Sequence, residues 1–322
     1  MNCKHLGLKL IAANLVGFGA MAAVPAWATV ITNNLISNTS ASAGGQLPTV
    51  AGPTSNSTYV TNFSSSFALD GSSAGGSAWG NDYGTYRAGA NGSGVFSSLG
   101  HFHRTVNLSN DNGVSTDYSL NFFIYYGSIS AQNNRATGSG SGSYNLSIKQ
   151  NNVNTLFASG ATVNRNSAIG TLTQTGTVLN GAAFSNNPSG ASYNWGGTYV
   201  TLNLGTVAAG NSTSIDFDLV STAFGNFAFD GTGFGGYGGC FGEFAPAAAV
   251  AVAAVAGPGG CTGSVNAGLG DPNDFAGNPG VANQFVVTGR PTNPNQVPLP
   301  GTLALLALGL LGLASSRKAR LR

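Results

Sequence analysis

Two histidines and two aspartates at alternate positions are the residues of this sequence whose types and spacing could most directly do chemistry. His101 and His103 lie two residues apart, so on a strand both imidazoles share one face and could serve a metal or pass a proton. Asp216 and Asp218 repeat the spacing, and paired carboxylates do acid/base work where their surroundings push their pKa values apart. No Cys, Glu or third His accompanies the histidines locally, so they read as hydrogen-bonded surface residues. The aspartates read as the solvated outer face of a strand. Asp271, Asn273 and Asp274 gather oxygen ligands around Pro272, and Asp230-Gly231-Thr232-Gly233 is a second such cluster; calcium favours oxygen-rich turns of this kind. Neither has EF-hand spacing, and the same residue types make turns without an ion, so no metal and no cofactor is expected. The chain has no Gly-x-Ser-x-Gly elbow, and its Gly231-to-Gly239 run lacks the Lys-Ser/Thr that completes a phosphate loop. The expectation is a protein that is not an enzyme.

The elements that would position these residues are strands. Val30–Ile36 and Thr58–Leu69 read as strands, with a Gly/Ser/Thr/Pro loop over 41–57 and a Gly-rich stretch over 71–94. His101–Leu108 leads through Asn110-Asp111-Asn112-Gly113, a turn composition that favours positive φ, into a return strand; the sequence predicts a hairpin there. Tyr118, Leu120, Phe122, Ile124 and Tyr126 alternate onto one face of that return strand. A loop over 131–143 follows, then strands at 144–149 and 153–158 about a Gln150-Asn151-Asn152 turn, and weaker ones at 161–163 and 171–179. Val200, Leu202 and Leu204 share a face, as do Ile215, Phe217 and Leu219 with Asp216 and Asp218 opposite them. No stretch before residue 297 carries a sustained helical period with caps. The expected fold class is all-β, an antiparallel β-sandwich of jelly-roll type over 29–289, flanked by an N-terminal signal helix and a C-terminal apolar helix.

Composition restricts the function further. Charged residues make up 7% of the 322, against about a quarter in ordinary soluble domains, and 49 residues are glycine. Between residues 29 and 296 the ten acidic residues outnumber the six basic ones, so the overall +2 comes from the two ends. Without a basic face there is no electrostatic footprint for nucleic acid, and that partner is excluded. Trp79, Tyr83 and Trp195, with abundant Asn, are the candidates for an alternative reading as a carbohydrate-binding, lectin-like module.

The two ends carry the strongest signals. Lys4 and Lys9 precede an apolar run from Leu10 to Ala23, and Ala26-Trp27-Ala28 is a small-x-small cleavage site that would leave Thr29 first in the mature chain, making 1–28 a signal peptide. An exported chain with Cys240 and Cys261 as its two remaining cysteines is expected to join them, a closed loop that the chain-entropy account values at roughly 3 kcal/mol. Residues 290–296, with Pro291 and Pro294, read as an extended linker. Beyond it come Val297, Pro298, Leu299, Pro300, Gly301 and Thr302, then an apolar run from Leu303 to Ala314, then Arg317, Lys318, Arg320 and Arg322. Twelve apolar residues give about 18 Å of helix, a marginal membrane anchor whose basic flank belongs on the cytoplasmic side.

That three-part ending, over 297–322, resembles the PEP-CTERM sorting signal of bacterial surface proteins. Pro298 and Pro300 stand where the family has its two prolines, and Leu299 replaces the usual glutamate in a Val-Pro-Leu-Pro variant. The resemblance implies processing by an exosortase, transient attachment to the inner membrane through the C-terminal helix, and delivery to the cell surface or the medium. It also implies a link with exopolysaccharide and biofilm. The function expected is therefore that of a non-enzymatic cell-surface or matrix protein.

Overall fold

The computed structural model describes residues 29–69, 71–82, 84–133, 138–166, 169–227, 263–270 and 285–292. Every regular element among them is a strand, and every pairing is antiparallel. Strand β1 (Thr29–Ala43) pairs with β2 (Thr49–Asn56) and β6 (Val95–Asn110), while β3 (Tyr59–Phe67), β4 (Ser73–Asn81) and β5 (Tyr86–Ser93) form a meander in the opposite sheet. These six strands wrap the first half of a sandwich. After β7 (Thr116–Ile124), a second wrap is built from β8 (Gly127–Asn133), β9 (Ser139–Gln150), β10 (Asn154–Asn166), β11 (Ile169–Gly176), β12 (Ala183–Asn187) and β13 (Gly190–Trp195). The later strands are β14 (Thr198–Val207), β15 (Ser212–Asn226), β16 (Gly263–Gly270) and β17 (Phe285–Pro291).

Strands β15 and β16 close the structure. In sheet A the order is β11-β10-β9-β15-β6-β1-β2, and in sheet B it is β12-β13-β8-β16-β5-β4-β3, so each late strand fills the gap between the two wraps. A third sheet, C, has the order β14-β7-β17. This is an all-β sandwich, but its winding is not that of an eight-stranded jelly roll: the chain completes two lobes and then joins them through its two late central strands.

Glycine lets the two large sheets approach closely. An added Cβ at Gly100 of β6 would lie 2.6 Å from the Gly89 carbonyl oxygen and closer still to that of Ser77, both backbone atoms of sheet B. Gly80 and Gly92 face the rings of Phe102 and Phe96 in the same way, so small residues on sheet B receive large ones from sheet A. Where side chains fill the gap, they are aromatic. Tyr86 of β5 stacks edge-on to Phe217 of β15 at 4.6 Å, and Phe122 of β7 meets both Phe157 (5.7 Å) and Phe217 (6.3 Å), so all three sheets share one core.

Several expectations are corrected. The predicted hairpin from 101–108 to the strand after Asn110 does not form: β6 pairs with β1 and β15, and β7 turns away to pair with β14 and β17. Asn110 explains the turn, since its fully buried side chain donates Nδ2 to the Val114 (3.0 Å) and Val207 (2.8 Å) carbonyl oxygens and ties the loop into sheet C. The stretches read as loops at 41–57, 71–94 and 131–143 contain β2, β4, β5, the end of β8 and the start of β9; in β4 and β5 the Gly/Ser/Ala composition reflects close packing rather than irregular chain, whereas β2 is an exposed edge strand. The predicted linker at 290–296 begins inside β17, whose pairing to β7 runs through Arg290 and Pro291, so the folded part extends beyond residue 289. Tyr126 lies past the end of β7 and is 53% exposed.

Candidate functional site

The alternating pairs of the sequence meet on the outer face of sheet A. The register between β6 and β15 sets Asp218 opposite His103 and Asp216 opposite Thr105, with His101 one step diagonal to Asp218. His101 Nε2 lies 2.7 Å and His103 Nδ1 3.3 Å from the same oxygen, Asp218 Oδ1. His103 Nε2 is 3.1 Å from Thr105 Oγ1, which donates its hydrogen to Asp216 Oδ1 at 2.9 Å. The chain of contacts thus runs His101–Asp218–His103–Thr105–Asp216 across the seam between the first wrap and the late strand. Burial pushes the Asp218 carboxyl up, but the hydrogen bonds from His101 and His103, and then their charge, outweigh it and hold the group well below the usual carboxylate range.

The hydrogen count constrains what this cluster does. His103 spans Asp218 and Thr105 with its two ring nitrogens, and the one Thr105 hydrogen is given to Asp216. The order Asp218–His103–Thr105 has the outline of a carboxylate–imidazole–hydroxyl triad, yet its surroundings oppose nucleophilic chemistry. Thr105 is held by an acidic neighbour that disfavours negative charge on its oxygen. It also lies on a strand paired on both sides, so the local N–H groups are engaged in ladders rather than converging on an oxyanion. As a metal centre the arrangement also fails, because both imidazoles converge on one carboxylate oxygen; among the described residues no group of three His, Cys, Asp or Glu side chains could hold a metal ion. The cluster is a polar stitch between β6 and β15.

Sequence reasoning found both pairs and missed their meeting, since the register that joins them spans more than a hundred residues. It also missed two buried arginines. Arg104, 4% exposed, donates Nε (3.1 Å) and Nη2 (2.8 Å) to Asn33 Oδ1 and Nη2 to the Asp82 carbonyl oxygen (2.9 Å); burial lowers its pKa to about 10 against the opposing pull of Asp82. Arg165, 1% exposed, donates to the Asn187 (3.0 Å) and Pro188 (2.6 Å) carbonyl oxygens and clasps the β12–β13 turn onto β10.

The sugar-binding candidates Trp79 and Trp195 are not on the surface. They are 2% and 3% exposed, and the Trp195 indole packs on Tyr144 at 4.6 Å and donates Nε1 to the Tyr125 carbonyl oxygen. Tyr83, the signal-peptide residues Ala26 and Ala28, Cys240 and Cys261, the calcium candidates Asp271, Asn273 and Asp274 with the Asp230 cluster, and the tail from Val297 to Arg322 lie outside the described residues. Thr29, expected to be the first mature residue, opens β1. Among the described residues no helix is long and apolar enough to cross a membrane.

The described strands form an all-β domain whose last strand ends at Pro291, shortly before the three-part C-terminal segment of the sequence. Residues 296–318 match the family model of the PEP-CTERM protein-sorting motif, which covers Pro298, Leu299, Pro300 and the apolar run. The chain thus carries a PEP-CTERM protein-sorting motif at residues 296–318, a motif that marks proteins exported and sorted to the cell envelope and implies recognition by an exosortase. No curated protein and no solved structure matches the chain.

Proposed function

We propose that this is a non-enzymatic matrix protein, held at the membrane by the apolar run after its sorting motif until processing releases it, and associated outside the cell with exopolysaccharide. The observation that carries the reading is where the two ends of the sandwich lie. Thr29 opens β1 opposite Asn110, and Pro291 closes β17 opposite Thr116; the Thr292 N–H and hydroxyl then both donate to the Ser115 carbonyl oxygen at 3.1 Å. Chain entry and chain exit therefore share one end of the molecule. Five residues lie between Thr292 and Pro298, six steps of chain that reach at most about 22 Å. Such a domain stands on one end, with its broad faces directed sideways.

The outer face of sheet B favours a hydrated, uncharged partner. One cross-strand row on sheet B runs from Ser185 through Ser192, Ser130, Asn266 and Asn91 to Ser65, all hydroxyls and amides apart from Gly75. Deleting Leu303–Arg322 should move the protein from the envelope fraction to the medium, and the released protein should co-sediment with exopolysaccharide extracted from the producing cells. Unchanged fractionation would remove the anchoring part of the proposal, and failure to co-sediment would remove the matrix part. Hydrolysis of that polysaccharide, lost in His103→Gln, would overturn the non-enzymatic reading.

A further inference from the structure

We propose that the outer face of sheet C is a binding face for an uncharged polysaccharide chain. The inference rests on the matrix reading above and names the surface that would carry it. Tyr199 opens this face and is 85% exposed, although it belongs to a strand and has an aromatic partner below. Its ring lies 4.6 Å from that of Phe123 at a 50° tilt, and Phe123 meets Tyr125 edge-on at 5.1 Å. Gly197 makes room for this arrangement: a Cβ there would sit 2.5 Å from Phe123 Cζ. Tyr86 secures the same end from the core by donating its hydroxyl hydrogen to the Phe123 carbonyl oxygen at 3.1 Å. The Phe123 platform beneath the exposed ring is thus fixed from two sides.

Beyond the ring, the face continues as a ladder of hydroxyls and amides in register. Thr201 lies opposite Asn121 and donates to its Oδ1 at 2.6 Å; Asn203 lies opposite Ser119, which exchanges a hydrogen bond with Thr288 of β17 at 2.7 Å. Because Asn121 accepts through its oxygen, its NH2 group is left to donate elsewhere. From Tyr199 to Asn203 the strand rises about 14 Å, with side chains of one face repeating every ~7 Å, enough for a short run of sugar rings.

This composition selects the partner. A protein interface would need an apolar buried centre, and here the Tyr199 and Phe123 rings are followed along β14 and β7 by Thr201 with Asn121 and Asn203 with Ser119, Val286 of β17 standing opposite Asn121. Nucleic acid would need a basic stripe, and Arg290 at the far end, opposite Asp117, is the one cation of the described part of this face. A flat apolar ring beside fixed donors and acceptors matches the alternating C–H and O–H surfaces of a sugar chain. Phe123, Tyr199 and the ladder lie away from the His101–Asp218 cluster, on a different sheet.

The test is affinity electrophoresis of the full exported protein in gels containing exopolysaccharide extracted from the producing cells. Wild type should be retarded, with little change as salt is raised. Tyr199→Ala should weaken retardation about fivefold or more, the scale of losing an aromatic anchor, while Tyr199→Phe keeps most of it. Thr201→Val, which keeps shape and removes the hydroxyl, should weaken it about twofold to threefold. Equal retardation of wild type and Tyr199→Ala, with both folded by thermal melting, would overturn this site and leave the matrix reading standing. Retardation abolished by salt would overturn the uncharged ligand class, and an unretarded wild type would overturn site and exopolysaccharide association together. Envelope fractionation of the same variants tests display separately.

Discussion

Two glycine-to-alanine substitutions, Gly100→Ala and Gly268→Ala, should change stability in opposite directions. Each removes conformational freedom from the unfolded chain, which alone stabilises by about 0.4–1 kcal/mol where the backbone tolerates a side chain. At Gly268, on the outer face of β16, the new Cβ would meet only the Ala88 carbonyl oxygen at 3.9 Å, so the gain should survive. At Gly100 the Cβ would be driven between the Ser77 and Gly89 backbones of the facing sheet, with Gly89 N 2.9 Å away as well. None of those atoms can rotate aside, so the sheets must separate. Overpacking of a close-packed core costs about 1–3 kcal/mol, and displacement of backbone belongs at the upper end, leaving a net loss of roughly 2 kcal/mol. With a urea m-value of about 2–3 kcal/mol/M, the midpoint should fall by nearly 1 M for Gly100→Ala and rise slightly for Gly268→Ala. If both midpoints stayed within about 0.1 M of wild type, a difference of only ~0.3 kcal/mol, the claim that glycine sets the sheet separation would be refuted.

Three further outcomes are expected. Arg165→Met should destabilise the fold by about 1–3 kcal/mol, because the Asn187 and Pro188 carbonyls lose their donor, and amide exchange should quicken around 187–190; unchanged exchange would mean that the clasp is dispensable. The depressed Asp218 pKa makes its contribution present above the unfolded value near 3.9 and lost as pH falls below it, so wild type should lose stability in acid more steeply than Asp218→Asn, and parallel acid limbs would contradict the cluster. Non-reducing peptide mapping of exported protein should join Cys240 to Cys261, and alkylation of both in unreduced material would refute the bridge.

What was legible in the sequence was local. Period-two alternation placed Ile215, Phe217 and Leu219 inside and Asp216 and Asp218 outside, as β15 has them, because the pleat alone dictates this. Partner choice was not legible. Asn110-Asp111-Asn112-Gly113 has hairpin composition, but Asn110 spends its side chain on Val114 and Val207, and β7 joins another sheet. Ser73–Asn81 and Tyr86–Ser93 looked like loops since glycine is ordinarily poor in strands; here the opposing sheet supplies Phe96 and Phe102 and makes glycine the residue that fits. Trp79 and Trp195 looked available for sugar because aromatic residues in Gly/Asn-rich surroundings carry no mark of depth, whereas Tyr199 drew no notice in a strand read only for Val200, Leu202 and Leu204. The sorting motif was readable outright, because its recognition depends on a contiguous stretch and not on folding.

The order of strands also bears on export. Without β15 and β16, sheet A is interrupted between β9 and β6, and sheet B between β8 and β5, each gap leaving two unpaired edges. Both missing strands come late, at 212–226 and 263–270, and β17 follows at 285–291, immediately before the motif at 296–318. Pairings such as Thr29 with Asn110 can form early, but three of the four central ladders, β15 with β6 and β16 with β5 and β8, join residues more than a hundred positions apart, the kind of contact that forms slowly. Completion of the sandwich therefore requires nearly the whole chain, up to the doorstep of the sorting signal. In the reading proposed above, the apolar run after the motif would hold such a domain at the membrane while its two halves close, at a stage when low charge density leaves the open edges without electrostatic repulsion between chains.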